Sequence, residues 1–126
     1  VIAMRPEVLI LDEPTAGLNP KAHMDILDMI NGIHRKEKNI IILVSHNMDD
    51  IARMSDKVMV MDRGKLVMEG TPAEVFSRGD ELKSIGLALP SSMEIVSQLR
   101  ERGLDIEGEC LSMDDAADRI AEVLKA

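Results

Sequence analysis

The stretch Val8-Leu9-Ile10-Leu11-Asp12-Glu13-Pro14-Thr15 is an apolar run that ends in two adjacent carboxylates. Consecutive branched residues without polar alternation read as a strand buried on both faces, the pattern of a parallel α/β sheet. The acids then fall at its carboxyl edge, where such sheets bind ligands. Residues 40–45 form a second run of this kind, and His46 follows at once. Between the two, from Pro20 to about Lys36, apolar side chains at Ala22, Ile26, Met29, Ile30 and Ile33 recur with helical spacing. Asn19 is placed to cap that helix, and Pro20 fits its first turn, where a missing amide hydrogen costs nothing. Strand (7–12), crossover helix and strand make a βαβ unit with parallel strands.

After His46 a short helix is expected over about 48–54, leading to Val58-Met59-Val60-Met61. Arg63-Gly64-Lys65 then turns the chain into Leu66-Val67-Met68-Glu69, an antiparallel hairpin at the sheet margin. Thr71 is set to cap a short helix that starts at Pro72 and carries Val75 and Phe76. Beyond it the strands stop. A short helix over 80–86 precedes one opened by Pro90-Ser91-Ser92 and stopped after Arg102 by Gly103. Ser112 caps the last helix, with Met113, Ala116, Ala117, Ile120 and Leu124 on one face. Asp114 and Asp115 in its first turn suit the positive end of the helix dipole.

At 126 residues with 45% hydrophobic content the chain can build the core of one small domain. One Phe and no Trp or Tyr make that core aliphatic, and ten Met, among them Met59 and Met61, are expected to fill it. The net charge is −8, with 9 basic and 11 acidic side chains in residues 1–70 against 6 and 12 in residues 71–126. No cluster of Lys and Arg is present to meet phosphates, which argues against direct nucleic-acid binding. Cys110 is the single cysteine, so neither an internal disulfide nor a multi-cysteine metal site can form, and it reads as a small side chain in a loop. His23 and His34 lack partners at metal-ligand spacing and read as surface residues. No apolar stretch approaches the roughly twenty residues that span a bilayer. The chain opens on Val1 with no signal-peptide pattern and reads as a fragment.

Hydrolysis of a nucleotide γ-phosphate needs a metal to neutralise charge, a residue that orients water and donors for the equatorial oxygens. Asp12 and Glu13 can divide the first two tasks, since alternation along a strand sends neighbouring side chains in opposite directions. Pro14-Thr15-Ala16-Gly17-Leu18-Asn19-Pro20 resembles the D-loop region of ABC-transporter ATPases, and Ile42-Leu43-Val44-Ser45-His46 resembles their switch strand. Residues 64–76 are similar to the segment after the switch in importer ATPases. Leu89-Pro90 and the helix ending Leu99-Arg100-Glu101-Arg102-Gly103 resemble the C-terminal extension of energy-coupling-factor ATPases, the class serving cobalt, nickel and vitamin importers.

The resemblance implies an α/β fold: the C-terminal part of a P-loop NTPase sheet (1–76) followed by a helical extension that helps pair subunits (77–126). It implies ATP and magnesium as cofactors. Asp12 matches the Walker B aspartate holding a magnesium-bound water, Glu13 the base that polarises the attacking water, and His46 the switch residue touching the γ-phosphate. Asn19 stands at a nucleotide-bound dimer contact where the family usually has Asp. The implied partners are the N-terminal part of the same subunit, a second ATPase subunit and transmembrane transporter components, at the cytoplasmic face of the membrane. The implied function is ATP hydrolysis coupled to uptake of a metal ion or vitamin. A non-transport ABC ATPase of DNA repair or translation would share these residues, and a stand-alone interaction module would carry them inert. The sequence contains no Gly-rich loop ending in Lys-Ser/Thr and no Ser-Gly-Gly-Gln signature, and Val1-Ile2-Ala3-Met4 resembles the end of the helix after that signature. The 126 residues alone are therefore expected neither to bind nor to hydrolyse ATP appreciably.

Overall fold

The computed structural model describes residues 6–125, so the helix end expected at Val1-Ile2-Ala3-Met4 lies outside the described residues. The chain packs as two compact units, the first ending at His46 and the second starting at Asn47.

In the first unit, β1 (Val8–Asp12) pairs in parallel with β2 (Ile40–Val44) across the helix α1 (Pro20–Glu37), with Val8 opposite Ile40 and Asp12 opposite Val44. Asn19 caps α1 by accepting from the Ala22 amide at 2.9 Å, and Pro20 occupies the first turn, as the sequence predicts. The helix ends at Lys38, whose amide still donates to the His34 carbonyl and whose φ of 50° then turns the chain out of the helix. The buried stripe of α1 runs through Leu27 and Ile30, while Met29, expected inside, is 46% exposed. The apolar spacing identified the helix but centred its face too far round the axis.

The sheet departs from the expectation of burial on both faces. Leu9 is buried, whereas Val8, Ile10, Ile40, Ile42 and Val44 lie exposed. Alternation explains the split: one face of the two strands is covered, and no described element of this unit covers the other.

The second unit opens with α2 (Met48–Met54), capped by Asn47, and continues into the hairpin of β3 (Val58–Asp62) and β4 (Lys65–Gly70). Arg63 and Gly64 form its two-residue loop with φ of 50° and 78°, the paired positive values of the turn that matches strand twist. Among the described residues this hairpin is a separate two-stranded sheet and not the margin of the first. Val58, Val60 and Met68 face inward, so Met59 and Met61, expected as core filling, are exposed instead. A register irregularity at Val60/Met61 interrupts the pairing.

Four helices follow: α3 (Pro72–Phe76), α4 (Gly79–Ser84), α5 (Ser91–Glu101) and α6 (Met113–Lys125). Thr71 caps α3 through the Glu74 amide, and Ser112 bonds the Asp115 amide at the start of α6. Lys83 on α4 meets Glu94 on α5 at 2.9 Å, a contact that holds the lysine ammonium above its usual range. Val96, Ile106, Cys110 and Ala116 make one core, with Leu99, Leu104, Ile120 and Val123 packed around it. Of the face expected on α6, Ala116 is buried and Ile120 partly so. Met113, Ala117 and Leu124 are exposed, and Val123 takes the inner place.

The loop between α5 and α6 is pinned by side chains that donate to its carbonyls. Arg100 reaches Ile106 and Gly108, Arg119 reaches Glu107, and Ser92 reaches Cys110 at 2.6 Å. Cys110 is thus a loop residue that is only 1% exposed. Desolvation, with the Asp115 charge adding to it, pushes its thiol above the ordinary 9.0. A raised folded-state value makes the associated stability complete below the unfolded pKa and progressively lost as pH rises through the folded one. We predict that a disulfide reagent at pH 8 labels Cys110 at least about a hundredfold more slowly in the folded chain than in urea. Equal rates would show that the α5–α6 core is open.

Candidate active site

The parallel register delivers the ends of β1 and β2 to the same edge. The Glu13 amide donates to the Val44 carbonyl at 2.8 Å, extending the ladder by one bond past Asp12. At that point the backbone leaves the pleat, because Glu13 has a φ of 49°. A left-handed conformation is uncommon for a residue with a side chain, and here it redirects the carboxylate. The aim of Glu13 therefore comes from this backbone turn and not from simple alternation after Asp12.

Glu13 Oε1 accepts from the His46 amide at 2.9 Å and lies 2.5 Å from His46 Nδ1. A carboxylate can only accept, so the ring supplies the hydrogen from Nδ1, which leaves Nε2 as the outward-acting nitrogen. The His46 side chain is 88% exposed and that of Glu13 33%, so one member of the pair is open to an incoming ligand while the other is partly sheltered. The sequence placed Glu13 and His46 in one site, and the structure joins them by two hydrogen bonds. That direct contact was not foreseen, because no spacing rule relates residues on different strands.

Asp12 ends β1 as an exposed carboxylate beside Glu13. From Glu13 the chain makes a tight turn, with Ala16 bonded to the Glu13 carbonyl and Leu18 to that of Thr15, while Gly17 takes a φ of 76°. Thr15 is buried within this turn. The turn hands over to Asn19, whose side-chain oxygen accepts from the Ala22 amide at the α1 cap and whose side-chain nitrogen is the group that can donate to a ligand. His34 is exposed, with Nδ1 bonded to the Asn39 carbonyl, and His23 is half-buried on α1.

A magnesium site can be tested against these donors. Among the described residues no group of three or more His, Cys, Asp or Glu side chains gathers as a cage. One open carboxylate with a neighbouring acid fits magnesium, which retains several waters and takes one or two protein carboxylates, better than it fits zinc or calcium. Among the described residues no helix is long and apolar enough to cross a membrane.

No family model matches the chain. It is similar to the energy-coupling factor transporter ATP-binding protein EcfA2 of Caldanaerobacter subterraneus subsp. tengcongensis, at 50% identity over 99% of this chain and 44% of that protein. The protein of the same name from Symbiobacterium thermophilum is 48% identical over 98% of this chain and 43% of its own length. The solved structure of CbiO1 from Clostridium perfringens, described as part of the ABC transporter complex CbiONQ, matches with a TM-score of 0.58 and 33% identity. That match covers 79% of this chain and 38% of CbiO1. The chain spans less than half the length of these relatives. It is a homologue of part of the energy-coupling factor transporter ATP-binding proteins, and its fold is that of an ABC ATPase.

Proposed function

We propose that this chain is the hydrolytic part of an ATPase subunit that drives uptake of a metal ion or vitamin through membrane partners, from the cytoplasmic face. The observation that carries the reading is the Glu13–His46 pair at the end of the parallel ladder, with the open Asp12 carboxylate next to it. The names of the relatives support the transport assignment. The exposed apolar face of β1 and β2 supports a larger sheet, because contiguous Val and Ile at an otherwise regular parallel ladder are normally covered.

In this reading Glu13 orients the attacking water and takes its proton, and Asp12 is the carboxylate that would hold magnesium. The ion, when bound, neutralises charge on the nucleotide phosphates. His46, held by Glu13 through Nδ1, offers Nε2 to a γ-phosphate oxygen. The Asn19 amide nitrogen is available to the nucleotide-bound partner, with a neutral contact where the family usually has a charged one.

In a complete subunit carrying this sequence, Glu13→Gln is expected to abolish turnover while nucleotide is retained, and Asp12→Asn to weaken magnesium dependence. His46→Ala is expected to lower turnover at least about tenfold. Steady-state phosphate release checks all three, and near-normal activity of Glu13→Gln would remove the assigned base.

Residues 77–126 are assigned as the extension that pairs subunits. Support comes from Met113, Ala117 and Leu124, which make an exposed apolar edge along α6 next to Asp114 and Asp118. Like charges on an identical copy would face each other there unless basic groups oppose them, so a different ATPase subunit suits this edge at least as well. Deleting 88–126 is expected to weaken association without ATP while sparing nucleotide binding, as measured by sedimentation. Unchanged association would confine these helices to capping their own unit.

A further inference from the structure

Helix α5 begins without a capping side chain of its own, because Pro90 stands at the N-cap position and makes no such bond. The cap comes from α2. One oxygen of the Asp49 carboxylate accepts from the Ser91 backbone amide at 2.7 Å, and the other accepts from the Ser91 hydroxyl at 2.8 Å. A charged acceptor at a helix N-terminus bonds more strongly than a neutral cap and also meets the positive end of the dipole.

The position of Asp49 gives this contact its meaning. It lies in a seven-residue helix whose cap, Asn47, directly follows His46 in the chain and accepts from the Asp50 amide at 3.1 Å. On the other side, Ser92 is 1% exposed and donates to the Cys110 carbonyl, and Cys110 packs against Ala116 of α6. Neighbouring backbone joins these contacts into one route from Asn47, the residue after His46, to the last helix. Its one solvent-exposed link between helices is Asp49–Ser91, which can break and re-form without opening the core.

We propose that Asp49 is a positioning residue that couples the nucleotide state read by His46 to the seat of α5 in the C-terminal helices. The proposal rests on the reading of His46 as the γ-phosphate contact and of 77–126 as the pairing extension. Because coupling between two sites is reciprocal, pairing through the extension would in turn bias His46.

The Ser91 amide reports the contact directly, since Asp49 is its acceptor. Hydrogen exchange at Ser91 is measured in the complete subunit, with and without ATP, in the presence of a chelator that prevents hydrolysis without altering the chain. The exchange rate is expected to differ at least about threefold between the two states. In Asp49→Ala the rate rises about fivefold or more and the nucleotide response disappears, while ATP binding persists. Asp49→Asn, which keeps one acceptor but no charge, moves both quantities in the same direction by less and serves if the alanine variant does not fold. A nucleotide response that survives in Asp49→Ala, or an unresponsive Ser91 in a parent protein that binds ATP, overturns the coupling alone. Failure of the parent to bind ATP overturns the active-site reading, and the coupling with it.

Discussion

In the ladder of β1 and β2, Asp12 stands opposite Val44, and this register brings the two outgoing chains into hydrogen-bond reach of each other. The Glu13 amide closes onto the Val44 carbonyl and the His46 amide closes onto the Glu13 carboxylate. A slip of one residue would carry His46 roughly 3.3 Å along the strand and turn alternate side chains to the other face. Burial fixes the register: Leu9 must stay under cover while Val8 and Ile10 point away. The hydrophobic pattern of a few residues thereby determines the geometry of a polar site at their end.

Much of this arrangement was legible in the sequence, for identifiable reasons. Elements with strong local signals appeared where they were expected. The Asn19 and Thr71 caps, the Arg63-Gly64 turn and the strand after Asn39 all depend on short-range chemistry. What escaped depends on contacts between distant segments. The left-handed backbone at Glu13 has no glycine to announce it, and the Asp49–Ser91 cap joins residues 42 positions apart. Pro90 at the head of α5 was a usable hint, because a helix start without its own acceptor must find one elsewhere.

Errors about which face is buried share a second cause. Periodicity locates an apolar stripe but does not say what covers it. Met29, Met59 and Met61 were expected inside because their spacing suits packing, yet all three are exposed. The same holds for Val8, Ile10 and Ile42. Cys110 was legible only as a small side chain in a loop, and its burial comes from the carbonyl-directed bonds of Ser92, Arg100 and Arg119, which fold that loop over a closed core.

The central claim is that Glu13 and His46 act as one unit held by their mutual hydrogen bonds, so a double-mutant cycle on ATP turnover in the complete subunit tests it most directly. With Glu13→Asp, which keeps a carboxylate base and so a measurable turnover but draws it back from His46, a coupled pair gives a combined loss in Glu13→Asp/His46→Ala that falls short of the sum of the single losses by at least about 1 kcal/mol, the range found for residues in direct contact. Losses that add within about 0.5 kcal/mol would mean that the two side chains act independently, and would contradict the account.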